Sequence, residues 1–122
     1  MTRLIAFPKN FEITAWKWMR YSGLLLIPLA WGHVLIQDVL VGVDRIDLNY
    51  VSMRWAYLGW RAYDLFLLVF ALAHGINGLR QVVLDFFSTR KNIRWLNQTL
   101  FVLWLVLVLA GIAALVGGVR KP

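Results

Sequence analysis

Three long apolar runs set the pattern of this chain. The first extends from about Met19 to Leu40, with Pro28 and His33 inside it. The second extends from about Asp64 to Phe87. The third extends from about Leu96 to Val119, with no charged residue between Arg94 and Arg120. About 20 mostly apolar residues suffice for a helix to cross the hydrocarbon core of a bilayer. The runs therefore predict an all-α membrane protein, with three transmembrane helices forming a single membrane domain over residues 1–122.

The longest polar connection, Asp44 to Tyr63, carries Tyr50, Trp55, Tyr57, Trp60 and Tyr63 interleaved with Arg54 and Arg61. Met53, Tyr57, Trp60 and Asp64 keep helical spacing, which predicts a short interfacial helix in the headgroup zone. Its rings read either as an aromatic belt or as a lid over a second ligand. Phe11 to Trp18 has a similar composition and is expected to lie along the membrane surface before the first span.

Composition narrows the class. Of 122 residues, 61% are hydrophobic and seven are Trp, whereas a soluble domain of this length needs far more polar surface. The absence of cysteine excludes disulfides, thiolate-held iron–sulfur clusters and covalently attached haem within this chain. A net charge of +7 would suit nucleic acid if it formed a soluble basic patch. The basic residues instead flank the apolar runs, where they meet lipid headgroups. The partner this charge implies is a membrane, not nucleic acid. Seven Lys and Arg residues (Arg3, Lys9, Lys17, Arg20, Arg90, Lys91 and Arg94) precede the first span or join the second to the third. Five lie on the other side, accompanied by Asp38, Asp44 and Asp47. That bias predicts a cytoplasmic N-terminus and an outer C-terminus. The N-terminal basic segment leads into no short apolar core with a small-residue cleavage site, so the first span is expected to be retained.

His74 lies in Leu65 to Leu79, a stretch of 15 residues without Asp, Glu, Lys or Arg. A histidine in such a span is costly and marks a candidate functional site. It reads either as an axial ligand of haem iron or as a hydrogen-bond partner of another helix. At 100° per residue, Gly78 lies at about 40°, Gln81 at about −20° and Asp85 at about 20° from His74. The four share one stripe, with Asn77 at its edge. Gly78 leaves room either for a flat macrocycle or for a closely packed helix. Asp85 either pairs with Arg80, Arg90 or Lys91, or helps deliver protons to a reduced carrier. His33 reads as a ligand of a second haem or as a partner of another helix. At the start of the first span, Arg20 is either a snorkelling anchor or the partner of a haem propionate. Ser22 and Gly23 permit close approach to a neighbour or a cofactor, and Trp16 offers an indole N–H one turn earlier.

The pattern His-x3-Gly-x2-Gln-Val-x2-Asp-aromatic, met by His74, Gly78, Gln81, Val82, Asp85 and Phe86, resembles the D-type haem-binding membrane anchor of succinate dehydrogenase (succinate:quinone oxidoreductase, respiratory complex II). Arg20-x-Ser22-Gly23, Arg45-Ile46-Asp47, Arg54-Trp55-Ala56 and the run from His74 to Arg80 extend the resemblance over nearly the whole chain. The resemblance implies a non-catalytic anchor in a bacterial cytoplasmic (inner) membrane. It would dock the flavoprotein and iron–sulfur subunits beside a second membrane anchor. It further implies haem b with His74 as one axial ligand, the other ligand coming from the second anchor, and Arg20 at a propionate. Asp85, Phe86, Trp16 and Ser22 become candidates for the quinone site, whose substrate would be menaquinone or ubiquinone. One position departs from the family: residue 86 is Phe, where ubiquinone-reducing members carry a quinone-bonding tyrosine. Two other functions fit the residues: the anchor of a quinol:fumarate reductase, and a cofactor-free structural anchor whose histidines only bond helices.

Overall fold

A computed structural model describes residues 11–86 and 90–119, with no side chains described at 90–92. All its described elements are helical: α1 (Phe11–Val34), α2 (Leu48–Ala56), α3 (Leu58–Phe86) and α4 (Arg90–Gly117). Three stretches are long and apolar enough to cross a membrane: Phe11–Arg45, Leu58–Phe86 and Ile93–Gly117. The short α2 lies between the first and second of them.

The helices outrun the apolar runs that predict them. The first is already helical at Phe11, the first described residue, so Phe11 to Trp18 belongs to α1 and is not a separate surface segment. The second begins at Leu58, six residues before Asp64. A helix of 29 residues is about 44 Å long, the thickness of a bilayer with its headgroups. Hydropathy detects only the hydrocarbon portion, while Trp, Lys and Arg carry the helix on through the polar layer.

Pro28 lies inside α1 and removes one backbone donor, yet the helix continues past it. It then widens into a π-helical segment, Leu35–Gly42, followed by a 3-10 turn, Val43–Arg45. Gly42 ends the π segment at φ +89°, a conformation that a Cβ atom disfavours. The Asp47 carboxylate then caps α2 by accepting from the Tyr50 N–H at 2.7 Å.

The predicted helical register from Met53 to Asp64 is broken. Tyr57 is extended (φ −87°, ψ 123°), so α2 stops there and Trp60 and Asp64 belong to α3. The reason is a polar clasp that sequence spacing does not show. Arg54 Nη2 and Trp55 Nε1 donate to the two oxygens of Asp64 at 2.7 and 2.8 Å. The Arg61 guanidinium donates twice to the Trp55 carbonyl, at 2.9 and 2.7 Å. These bonds require α2 to turn back onto the first turns of α3.

Both α1 and α4 pack along α3, which is the central helix. Among the described residues the buried apolar side chains are Leu100, Val108 and Leu115, all on α4. The buried polar ones are Ser22, Gln37, Ser52, Arg54 and Arg80. This arrangement, with polar groups inside and apolar groups facing out, is what a lipid solvent selects.

Arg80 ties three helices together. Its Nε donates to Asn97 Oδ1 of α4 at 2.6 Å, and both terminal nitrogens donate to the Glu12 carboxylate of α1. The guanidinium also lies 5.1 Å from the Phe11 ring centroid. Arg80 and Asp85 are five residues apart, about 140° around the helix, so the pairing considered between them is not made. The alternatives Arg90 and Lys91 fall outside the described side chains. Removing one partner of a buried ion pair costs about 3–5 kcal/mol. Glu12 is 40% exposed, so water replaces part of what it supplies. Glu12→Ala is therefore expected to cost about 2 kcal/mol, measured as a lower thermal midpoint of helical circular dichroism in detergent. An unchanged midpoint would remove the latch role.

Candidate functional site

The interface between α1 and α3 is built around His74. Ser22, only 4% exposed, sits opposite it, with Ser22 Oγ 3.2 Å from His74 Nδ1. The same Oγ donates its hydrogen to the Met19 carbonyl at 3.1 Å. With its hydrogen on the Met19 carbonyl the hydroxyl is an acceptor towards His74, and that arrangement puts the ring proton on Nδ1. In the neutral ring this leaves the lone pair on Nε2, which no described residue engages.

Glycine makes this approach possible. A Cβ on Gly23 would lie 3.3 Å from His74 Cε1, tighter than most real contacts, so the imidazole lies against bare α1 backbone. Gly78, one turn after His74, meets the tip of Met19 instead: a Cβ there would lie 3.2 Å from Met19 Cε. Asn77, at the edge of the stripe, donates to the Ala15 carbonyl at 2.9 Å. His74, Asn77 and Gly78 thus all face α1.

The stripe does not stay covered. Gln81, Asp85 and Phe86 are exposed, Phe86 at 78%. α3 continues past the described start of α1, so these residues face no helix among those described. Arg20 and Trp16 are also exposed, and the Arg20 guanidinium lies 4.0 Å above the Trp16 ring centroid. Arg20 is about 200° around α1 from Ser22, so it lies away from the face that packs on His74. Ser22, His74 and Gly78 therefore meet at the α1–α3 interface, Arg20 does not join them, and Asp85 and Phe86 stand about 16 Å further along α3.

His33 belongs to a different place. It is 11 residues beyond Ser22 on α1, about 16 Å along the axis, so it does not share an iron with His74. Its Nδ1 is 3.7 Å from Asp64 Oδ1, beyond hydrogen-bond range, and is buried without a hydrogen-bond partner. Asp64 is already engaged by Arg54 and Trp55, and the Arg54 guanidinium also lies 4.6 Å above the Trp60 ring centroid. Tyr63 reaches back to α1 and donates to the Leu29 carbonyl at 2.5 Å. Among the described residues no three His, Cys, Asp or Glu side chains converge as ligands for a bare metal ion. A haem needs only one axial donor from this chain.

Two ion pairs, Glu12–Arg80 and Arg54–Asp64, escaped the sequence reading. Their signal was scarcity. Glu12 is the only glutamate of the chain, and Asp64 is the only acid between Asp47 and Asp85. Such lone acids at the ends of apolar runs invite a search for a lone arginine.

The family model described as succinate dehydrogenase/fumarate reductase transmembrane subunit matches residues 3–115. No curated protein matches the chain.

Proposed function

Because the chain belongs to the succinate dehydrogenase/fumarate reductase transmembrane subunit family, and is therefore a multi-pass membrane anchor of that complex, we propose that it is the D-type, haem-bearing anchor of a succinate:quinone oxidoreductase. The observation that supports this best is Ser22 Oγ at 3.2 Å from His74 Nδ1. With the ring proton on Nδ1, the lone pair on Nε2 is the donor a haem iron takes. Gly23 clears the α1 flank of the ring. Arg20, exposed on α1 and stacked on Trp16, is the candidate partner of a haem propionate. When bound, the haem would supply one-electron transfer, with His74 as the ligand from this chain and the other ligand from the second membrane anchor.

The exposed end of α3 suits the quinone step. Quinone reduction consumes protons as well as electrons, and Asp85 offers a carboxylate at a helix end open to water. Phe86 has no hydroxyl, so the hydrogen-bond donor to the quinone carbonyl comes from another residue or another chain. The excess of Lys and Arg around the N-terminus and between α3 and α4 orients this end to the cytoplasm of a bacterial inner membrane. There it meets the iron–sulfur subunit and, through it, the flavoprotein.

The test is a reduced-minus-oxidised spectrum of the purified complex. A b-type band is expected, and its absence in wild type would remove the haem. Ser22→Ala tests the tautomer argument. Hydrogen bonding from Nδ1–H makes the imidazole a more basic ligand, which favours oxidised iron. Ser22→Ala is therefore expected to keep the band and raise the haem midpoint potential, while Ser22→Thr restores it. A potential that does not respond to either change would separate Ser22 from the ligand.

A further inference from the structure

The packing within this chain does not account for glycine at position 78. Gly78 has ordinary helical geometry; the one positive φ among the described residues is that of Gly42. Inside a helix a glycine costs about 1 kcal/mol relative to alanine. A Cβ on Gly78 would meet a single atom, Met19 Cε, at 3.2 Å. That atom is the far end of an unbranched side chain with several rotatable bonds, which adapts to its surroundings. An alanine would therefore displace it slightly and no more. A stiff, flat neighbour does not yield in that way, and beside such a neighbour a missing Cβ matters.

Met19 also has somewhere to go. It lines a cavity of about 630 Å³ between α1 and α4, with Phe101 and Trp104 on the α4 side. Its backbone is held in place meanwhile. The Met19 carbonyl accepts from Ser22 Oγ at 3.1 Å, and the same Oγ stands 3.2 Å from His74 Nδ1. Rotation about the Met19 side-chain bonds frees the space over Gly78 and leaves the contact at the imidazole intact. α1 and α3 run in opposite directions, so Gly23 meets His74 while Met19 meets Gly78. The freed space thus opens about 6 Å along α3 from His74, on the same stripe.

We propose that Met19 is a displaceable plug. Its tip covers Gly78 until the edge of a flat macrocycle ligated at His74 takes that place, and then lies in the cavity beside Phe101 and Trp104. Gly78 is the seat for that edge, and Met19 governs how tightly the group is held. This role rests on haem ligation at His74.

Two measurements test it. The first is a cryo-electron microscopy map of the intact complex in nanodiscs. Where the b-type band is present, the Met19 tip is expected off Gly78 and against the walls of the cavity. A haem-loaded complex with the tip still on Gly78 would overturn the proposal. The second is titration with haemin of the complex isolated from haem-limited cells, followed by absorbance. Met19→Ala removes the plug and should tighten binding about tenfold, or ~1.4 kcal/mol. Gly78→Val fills the seat and should weaken binding about tenfold or more. The double variant Met19→Ala, Gly78→Val should stay weak. If Gly78 served only to admit Met19, the double variant would bind like wild type, and the seat would be lost as an idea. Met19→Ala binding no tighter than wild type would likewise defeat the plug. The map and Met19→Ala decide the matter even where Gly78→Val fails to assemble. Absence of a b-type band from wild type would defeat the haem reading and the plug together, whereas a normal wild-type band with no response to Met19→Ala defeats the plug alone.

Discussion

Replacing His74 with alanine is expected to abolish the b-type band of the proposed haem, not merely to shift it. An axial nitrogen is all or nothing: α1 offers only Ser22 and the bare backbone of Gly23 at that position, and neither replaces an imidazole as an iron ligand. His33 is about 16 Å away along α1 and does not substitute. His74→Gly should behave in the same way, with imidazole added from solution entering the vacated space and restoring part of the absorbance. A band of unchanged position and height in His74→Ala would remove His74 as a ligand and leave it as the helix-bonding residue of the alternative reading. The complex should still assemble, because the α1–α3 contact keeps Asn77 to Ala15, Tyr63 to Leu29 and Arg80 to Glu12.

The second large effect is expected at the opposite end of the bundle. Asp64→Leu keeps the branched shape but strips the acceptor from Arg54 and from the Trp55 indole N–H together. Arg54 is 5% exposed at its side chain, and two of its nitrogens already lack partners. A buried guanidinium left without its counter-charge costs about 3–5 kcal/mol. This exceeds the Glu12→Ala effect because Asp64 is 15% exposed where Glu12 is 40%. The double variant Arg54→Met, Asp64→Leu should recover most of the loss, since replacing both partners by apolar groups is close to neutral. Thermal midpoints of the two variants in detergent decide it. Equal destabilisation by the single and the double change would mean that the charge pair is not the cause.

The spans were legible because a bilayer demands long apolar helices and leaves few alternatives. The interior part of the stripe, from His74 to Gly78, was legible for the same reason, whereas Gln81 and Asp85 on the same stripe are exposed. Helix ends were not, because Phe11 to Trp18 and Leu58 to Tyr63 mix aromatic and basic residues that hydropathy scores as surface while the backbone stays helical. The break at Tyr57 was hidden: Met53, Tyr57, Trp60 and Asp64 keep helical spacing throughout, and only the tertiary bonds of Asp64 make the chain turn. Arg80 shows the limit most clearly. Its sequence neighbourhood offers Asp85, but helical geometry points it away, and its partners come from 68 residues before and 17 residues after.

Those separations have a consequence for how the chain is made. Glu12 leaves the ribosome long before Arg80, and Asn97 only afterwards. The first span therefore enters the bilayer with an acid that has no counterpart, and the hairpin of α1 and α3 still leaves the Arg80 Nε without Asn97. Closure waits for the last helix. A nascent chain arrested before Asn97 would present an incompletely bonded guanidinium to the insertion machinery, so biogenesis of this membrane anchor has its checkpoint near the end of translation.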